Sequence, residues 1–173
     1  MSDTQPALIA LGANLGDRRA TFCAALDALS ATNGIEVTAH SALYETAPVG
    51  GPSGQGAFFN AAAALSTTLQ PLALLDRLQE IETHHKRARD VHWGPRTLDL
   101  DLLFYGTETI DNARLTIPHP RLVERRFVLA PLADIAGDYC HPALGVDIAT
   151  LLNRLPQRDI DDVAAIDTNW WHP

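Results

Sequence analysis

Apolar positions along the chain follow two rhythms, one near two residues and one near 3.6, and the switches between them mark the elements. Residues 7–12, ALIALG, form a short apolar run ending at Gly12, which predicts a buried strand. Asn14, Gly16 and Asp17 then make a turn. From there to about Thr32, Phe22, Leu26 and Leu29 recur at helical spacing, and Asn33-Gly34 supplies a stop. Residues 35–46, IEVTAHSALYET, alternate and are rich in β-formers, predicting a second strand. Residues 47–56 carry four glycines and two prolines, a composition that predicts a loop. Residues 57–67, AFFNAAAALST, favour a strand, although the alanines would allow a helix. Pro71 opens a helix with Leu74, Leu78 and Ile81 on one face. Residues 84–97 are polar, basic and broken by Gly94-Pro95, a second loop, and 98–105, LDLDLLFY, form the cleanest strand. A turn-rich stretch reaches IPHP at 117–120. Helices are expected over about 122–136 and 147–154, before an acidic tail from Pro156 that carries no clear pattern.

The order strand, helix, strand, strand, helix, strand predicts an α+β fold: a ferredoxin-like β-α-β-β-α-β sheet with helices packed on it and additional C-terminal helices. No repeat or linker divides the chain, so residues 1–173 are read as one domain, with the motif-bearing core at about 7–140 and a C-terminal helix and tail over 141–173. Apolar residues at 46% and charged residues at 20% are ordinary globular usage and exclude bulk disorder. The net charge of -8 argues against a nucleic-acid coat. Two cysteines, Cys23 and Cys140, without a CxxC spacing exclude a thiolate zinc site, and Cys23 reads as a buried thiol. The N-terminus lacks a basic leader region, and no apolar run approaches the ~20 residues of a membrane span. The expectation is a cytoplasmic, monomeric protein without membrane or nucleic-acid partners.

The chemistry gathers around Leu98-Asp99-Leu100-Asp101-Leu102. On a strand the three leucines share the core face, and the two aspartates face the other way about 6.6 Å apart. Such a pair can bracket hard cations held ~3.5–4 Å apart, as two-metal phosphoryl-transfer sites require. The alternative is two solvated carboxylates on a half-exposed strand. Eight of the thirteen Lys and Arg residues fall between positions 86 and 126, beside these aspartates in an acidic chain. That placement points to a small, highly charged ligand, since guanidinium groups hold phosphate oxygens by paired hydrogen bonds. There is no GxxxxGK[ST] loop, and the glycines of GANLG (12–16) are explained as well by a tight turn as by a phosphate cradle. Phe58, Phe59, Trp93 and Phe127 are each ordinary core material. Together with Asn60 they could hold a flat heteroaromatic ring. His119, between two prolines, could reach a phosphate, whereas His84 and His85 at a helix end are expected to be solvated.

At this point the residues resemble the 6-hydroxymethyl-7,8-dihydropterin pyrophosphokinase family. The matching blocks are ALGANLGDR at 10–18, YETAPVG at 44–50, FFNAA at 58–62, KRAR at 86–89, WGPRTLDLDLL at 93–103, RLTIPHPRL at 114–122 and ERRFVLAPL at 124–132. The resemblance implies a magnesium-dependent transfer of pyrophosphate from ATP to a hydroxymethyl dihydropterin in folate biosynthesis. It implies that Asp99 and Asp101 hold two Mg²⁺ ions, and that Arg87, Arg89, Trp93 and Arg96 belong to a closing catalytic loop. Gln79, Glu82, Arg114, Thr116, His119 and Arg125 resemble ATP contacts. Thr46, Val49, Phe58, Asn60 and Phe127 resemble a pterin pocket, with the ring between the two phenylalanines. Phe58 stands where a tyrosine is common, Lys86 replaces a common glycine, Ala47 a common proline, and His92 an arginine. The segment from Arg89 to Trp93 is one residue shorter than usual. The rival reading is a non-catalytic nucleotide-binding or sensor module on the same fold.

Overall fold

In the computed structural model, residues 3–47, 56–85, 97–156 and 163–173 are described. The chain runs β1 (Gln5–Ala13), α1 (Arg18–Ser30), β2 (Ile35–His40), β3 (Leu43–Thr46), β4 (Phe58–Thr67), α2 (Pro71–His84) and β5 (Asp99–Tyr105). A small hairpin, β6 (Ile110–Asp111) and β7 (Thr116–Ile117), and a single 3-10 turn (Leu122–Glu124) follow. Then come α3 (Arg126–Ala136), α4 (Ile148–Asn153) and β8 (Val163–Asp167). The main sheet has the order β5-β1-β4-β3-β8, with β2 pairing with the other end of β4, and its described pairings are antiparallel. This is the expected ferredoxin-like sheet, extended at one edge by β8.

Alternation along the strands divides the interior in two. Ala7, Ile9 and Leu11 of β1, Ala61, Ala63 and Leu65 of β4, and Leu100 and Leu102 of β5 face α1 and α2. There they meet Phe22, Leu26 and Leu29 and the predicted stripe Leu74, Leu78 and Ile81. Leu8, Ala10 and Ala62 face the opposite way, onto Leu129 and Leu132 of α3 and Ile148 and Leu151 of α4. The additional helices thus form a second layer on the other face of the sheet. One irregularity adjusts β5: Ile9 pairs with Leu102 but Leu8 with Phe104, leaving Leu103 as an extra residue. Leu103 and Phe104 therefore both join the α3 side.

Helix ends follow local chemistry. Asp17 caps α1 by accepting from the Ala20 N–H at 3.0 Å, and Asp147 caps α4 through the Thr150 N–H at 2.7 Å. Pro71 occupies the first turn of α2. α1 stops at Ser30, before the predicted limit, and Gly34 at φ +88° turns the chain into β2. The Asp134 carboxylate of α3 accepts from the Tyr44 hydroxyl at 2.9 Å and from the Ala42 N–H at 3.1 Å, tying α3 to β3.

Three expectations need correction. The single strand over 35–46 is two strands, because the Ser41 hydroxyl takes the Ala62 N–H at 2.8 Å and the chain steps out of the ladder there. The tail is not patternless: β8 pairs with β3, and Trp170 and Trp171 are buried against the first core. Trp170 Nε1 donates to the Ser41 carbonyl at 2.8 Å and Trp171 Nε1 to Asp27 at 2.9 Å, while the His40 ring meets both indoles edge-on. Cys23 is only partly buried, its thiol 3.2 Å from the Trp170 carbonyl. No helix among the described residues is long and apolar enough to cross a membrane.

His141 is buried, and its Nδ1 accepts from the Ala143 and Leu144 N–H groups at 3.2 Å each. Burial pushes its pKa below the ordinary 6.5. The unfolded chain therefore takes up this proton first. The histidine weakens the fold as pH falls from about 6.5 toward its folded pKa and is neutral in effect above that window. His141→Asn keeps an acceptor for the turn and removes the titration. In urea melts it should match the parent above pH 7.5 to about 1 kcal/mol and lose less stability on acidification to about pH 5. Parallel pH profiles would exclude His141 as a contributor to acid sensitivity.

Candidate active site

The α3-facing side of the sheet carries few large side chains at its β3–β4–β1–β5 corner. Thr46 lies opposite Phe58, Gly12 opposite both Asn60 and Asp99, and Ala10 opposite Asp101. This corner is the floor of a cavity of about 290 Å³, roofed from the far side by Arg121, Arg125, Phe127 and Val128. Phe58 comes from the sheet and Phe127 from α3, so two aromatic rings enter from opposed layers. Asn60 is buried and its Nδ2 donates to Thr46 Oγ1 at 2.7 Å, which fixes the amide and turns Oδ1 toward Gly12. A largely apolar slot with one fixed amide suits a flat, polar-edged ring.

A second cavity, of about 280 Å³, opens along β5 on the α2 side. Gln79 and Glu82 of α2 and Asp101 of β5 line it, together with Arg114, Thr116 and His119 of the segment that follows. Asp101 thus borders both cavities, and Asp99, two residues away on the same strand, borders the first. Glu82 is buried beside them, and its Oε1 accepts the Leu100 N–H at 2.7 Å. A buried carboxylate on the peptide between Asp99 and Asp101 fixes the strand that presents them. The His119 N–H donates to the Leu103 carbonyl at 3.0 Å, docking the IPHP turn against β5. His119 has its pKa lowered, first by burial and then by the Arg125 charge, so it is a neutral hydrogen-bonding group at neutral pH.

Most of the predicted site residues are therefore brought together. Thr46, Phe58, Asn60, Phe127, Asp99 and Asp101 meet at the first cavity, and Gln79, Glu82, Arg114, Thr116 and His119 at the second. Arg125, expected with the second group, lines the first cavity instead. Arg114 is exposed and ion-paired with Asp76 of α2. Val49, Arg87, Arg89, Trp93 and Arg96 lie outside the described residues. Sequence reasoning missed Gly12, whose neighbours belong to other strands. It also missed Arg18, the first residue of α1. The Arg18 guanidinium lies over the Phe59 ring at 3.9 Å and donates to the Ala57 carbonyl, so it steadies the chain leading to Phe58. Among the described residues no three His, Cys, Asp or Glu side chains form a metal cluster.

Residues 8–137 match the family of 7,8-dihydro-6-hydroxymethylpterin-pyrophosphokinase (HPPK). The chain belongs to this family. It is 45% identical over 157 residues to the 2-amino-4-hydroxy-6-hydroxymethyldihydropteridine pyrophosphokinase of Pseudomonas aeruginosa, covering 91% of this chain and 96% of that one. With the Bacillus subtilis protein of the same name it shares 47% identity over 129 residues, 75% of this chain and 77% of the relative. The folic acid synthesis protein fol1 of Pneumocystis carinii is 42% identical over 161 residues, but the match spans 93% of this chain and only 22% of the relative. Among solved structures, wild-type Plasmodium falciparum HPPK-DHPS superposes with a TM-score of 0.72 at 16% identity, covering 89% of this chain and 45% of that chain. The HPPK fold is thus shared at low identity, and this chain spans less than half of that longer polypeptide.

Proposed function

We propose that this HPPK-family chain transfers a pyrophosphoryl group from ATP to 6-hydroxymethyl-7,8-dihydropterin, giving AMP and the pterin diphosphate. The observation that carries this reading is the junction: Asp101 lines both an aromatic slot and a polar cavity. A pterin ring between Phe58 and Phe127, with its polar edge on Asn60, would present its hydroxymethyl group toward Asp99 and Asp101. ATP in the second cavity would contact Gln79, Glu82, Arg114, Thr116 and His119 and direct its phosphates to the same carboxylates.

Two half-buried hard-oxygen ligands on an otherwise buried strand suit Mg²⁺, which keeps waters and takes its remaining ligands from substrate phosphates. Bound there, such ions would supply charge neutralisation for the polyphosphate and a more acidic substrate hydroxyl. The chain's own residues align the two substrates. Phe58 and Phe127 orient the ring, Asn60 fixes its rotation, and Glu82 holds the β5 backbone so that the carboxylates do not shift. Arg121 and Arg125 add positive charge at the roof of the first cavity. The pterin oxygen bonds to the β-phosphorus and releases its proton to solvent, the bond from that phosphorus to the α,β-bridging oxygen breaks, and AMP departs with that oxygen. Such a transfer needs positioning and charge stabilisation more than a side-chain base. Arg87, Arg89, Trp93 and Arg96 complete the reading as a loop that encloses the phosphates, and Val49 as a further wall of the ring slot. The described residues of one chain line both cavities, in keeping with a monomer as the proposed working unit.

The direct test is incubation with Mg·ATP, with and without the pterin. The expected result is AMP that depends on both the pterin and Mg²⁺. Formation of ADP, or no nucleotide turnover, would overturn the assignment, and tight ATP binding without turnover would favour the sensor reading.

A further inference from the structure

Asn60, Gly12 and Asp99 stand abreast on three neighbouring strands, β4, β1 and β5, and all three line the first cavity. Two interstrand spacings separate the outer pair, about 10 Å of sheet. On the proposed function, Asn60 reads the ring edge and Asp99 serves the reacting end. A ligand joining them must pass directly over Gly12.

Nothing among the described residues requires glycine here. Gly12 is not among the glycines with positive φ, unlike Gly16 four residues later. A Cβ built on Gly12 would meet Asn60 Oδ1 at 3.5 Å and the Asp99 Cβ at 3.9 Å, both ordinary contacts. The fold has room for alanine, and a glycine inside a strand is destabilising relative to alanine. The missing methyl has to be explained by something other than folding. Ala10, one position along on the same face and opposite Asp101, continues the low floor toward the acidic pair.

We propose that Gly12 is a specificity-determining residue. It lets the edge of the ring held between Phe58 and Phe127 approach bare β1 backbone, at a height where Asn60 and Asp99 are reached together. This rests on the reading of the first cavity as the pterin slot. The substitution Gly12→Ala should keep or slightly raise the melting temperature. Its KM for the pterin should rise about ten- to a hundredfold, the usual scale for one misplaced methyl group in a closed pocket. The KM for ATP should stay within about twofold, because Gly12 does not line the second cavity, and uniform loss of one substrate's binding leaves the other's unchanged.

A merely structural glycine would instead lower the melting temperature and spare the pterin KM, and that result overturns the proposal. So does a Gly12→Ala variant with the parent's pterin KM. A measurement on the unsubstituted protein covers the case in which the variant does not fold. The Gly12 Hα resonances should shift on titration with the pterin, by the ring's field, and not with a non-hydrolysable ATP analogue alone. Absence of the pterin shift overturns the inference. Parent protein that releases AMP while Gly12→Ala behaves like it removes this inference alone. Parent protein that releases no AMP removes the slot assignment and this inference with it.

Discussion

Replacing Asp101 with alanine is expected to lower kcat by about a thousandfold, or roughly 4 kcal/mol of transition-state stabilisation, with the fold intact. Two features make the effect this large. Asp101 lines both cavities, so no other described carboxylate can address both substrates from one position. On the proposed two-ion site, its removal would also leave Asp99 as a single anionic ligand, too little to hold two divalent ions among phosphates. The side chain is only half-buried, so the melting temperature should change by no more than a few degrees. Steady-state kinetics across a Mg²⁺ titration provide the measurement. Activity above about a tenth of the parent's at saturating metal would be inconsistent with a two-ion site. Asp99→Ala should behave similarly, but with less effect on ATP binding, since Asp99 lines the first cavity and not the second.

The second large effect concerns stability. Trp170→Ala should destabilise the protein by about 3–5 kcal/mol, the range for deleting a large buried aromatic side chain. Trp170 is only 3% exposed, meets Phe22 and His40 edge-on at 6.0 and 5.0 Å, and donates to the Ser41 carbonyl. Its loss opens a cavity in the first core and leaves that buried carbonyl without its indole donor. For a chain of this size the melting temperature should fall on the order of 10 °C. Trp170→Phe, which keeps an aromatic ring but removes the donor and part of the indole volume, should cost less, about 1–3 kcal/mol. Activity assayed well below the transition should be preserved, because Trp170 lines neither cavity. A shift under about 3 °C for the alanine variant would mean the tail adds little to the core.

The parts of the molecule that were legible in the sequence are those whose cause is local. Leu98, Leu100 and Leu102 alternate with Asp99 and Asp101, and period two on a strand assigns each set to a face without knowledge of the partner strands. Phe22, Leu26 and Leu29, or Leu74, Leu78 and Ile81, do the same for a helix. What escaped depends on distant partners. The break at Ser41 exists because its hydroxyl replaces a backbone group opposite Ala62. β8 is short, with Ala164, Ala165 and Ile166 exposed, so no amphipathic signal precedes its pairing with β3. Glu82 is named through the family resemblance, but its hold on the Leu100 N–H is legible only once β5 is set beside it. Gly12 looks like part of a turn motif until Asn60 and Asp99 arrive on either side.

The tie between α3 and β3 has a thermodynamic consequence. Asp134 takes both the Tyr44 hydroxyl and the Ala42 N–H, so the helix bearing Phe127 is held to the strand next to the one bearing Phe58. The gap between the rings is therefore set before any guest arrives, and spreading it would break charge-assisted hydrogen bonds. Calorimetry of ring binding should then report heat release as the main driving force. The heat-capacity change should be small and negative, accounted for by the covered apolar area, without the larger value that ordering the α3 wall would add.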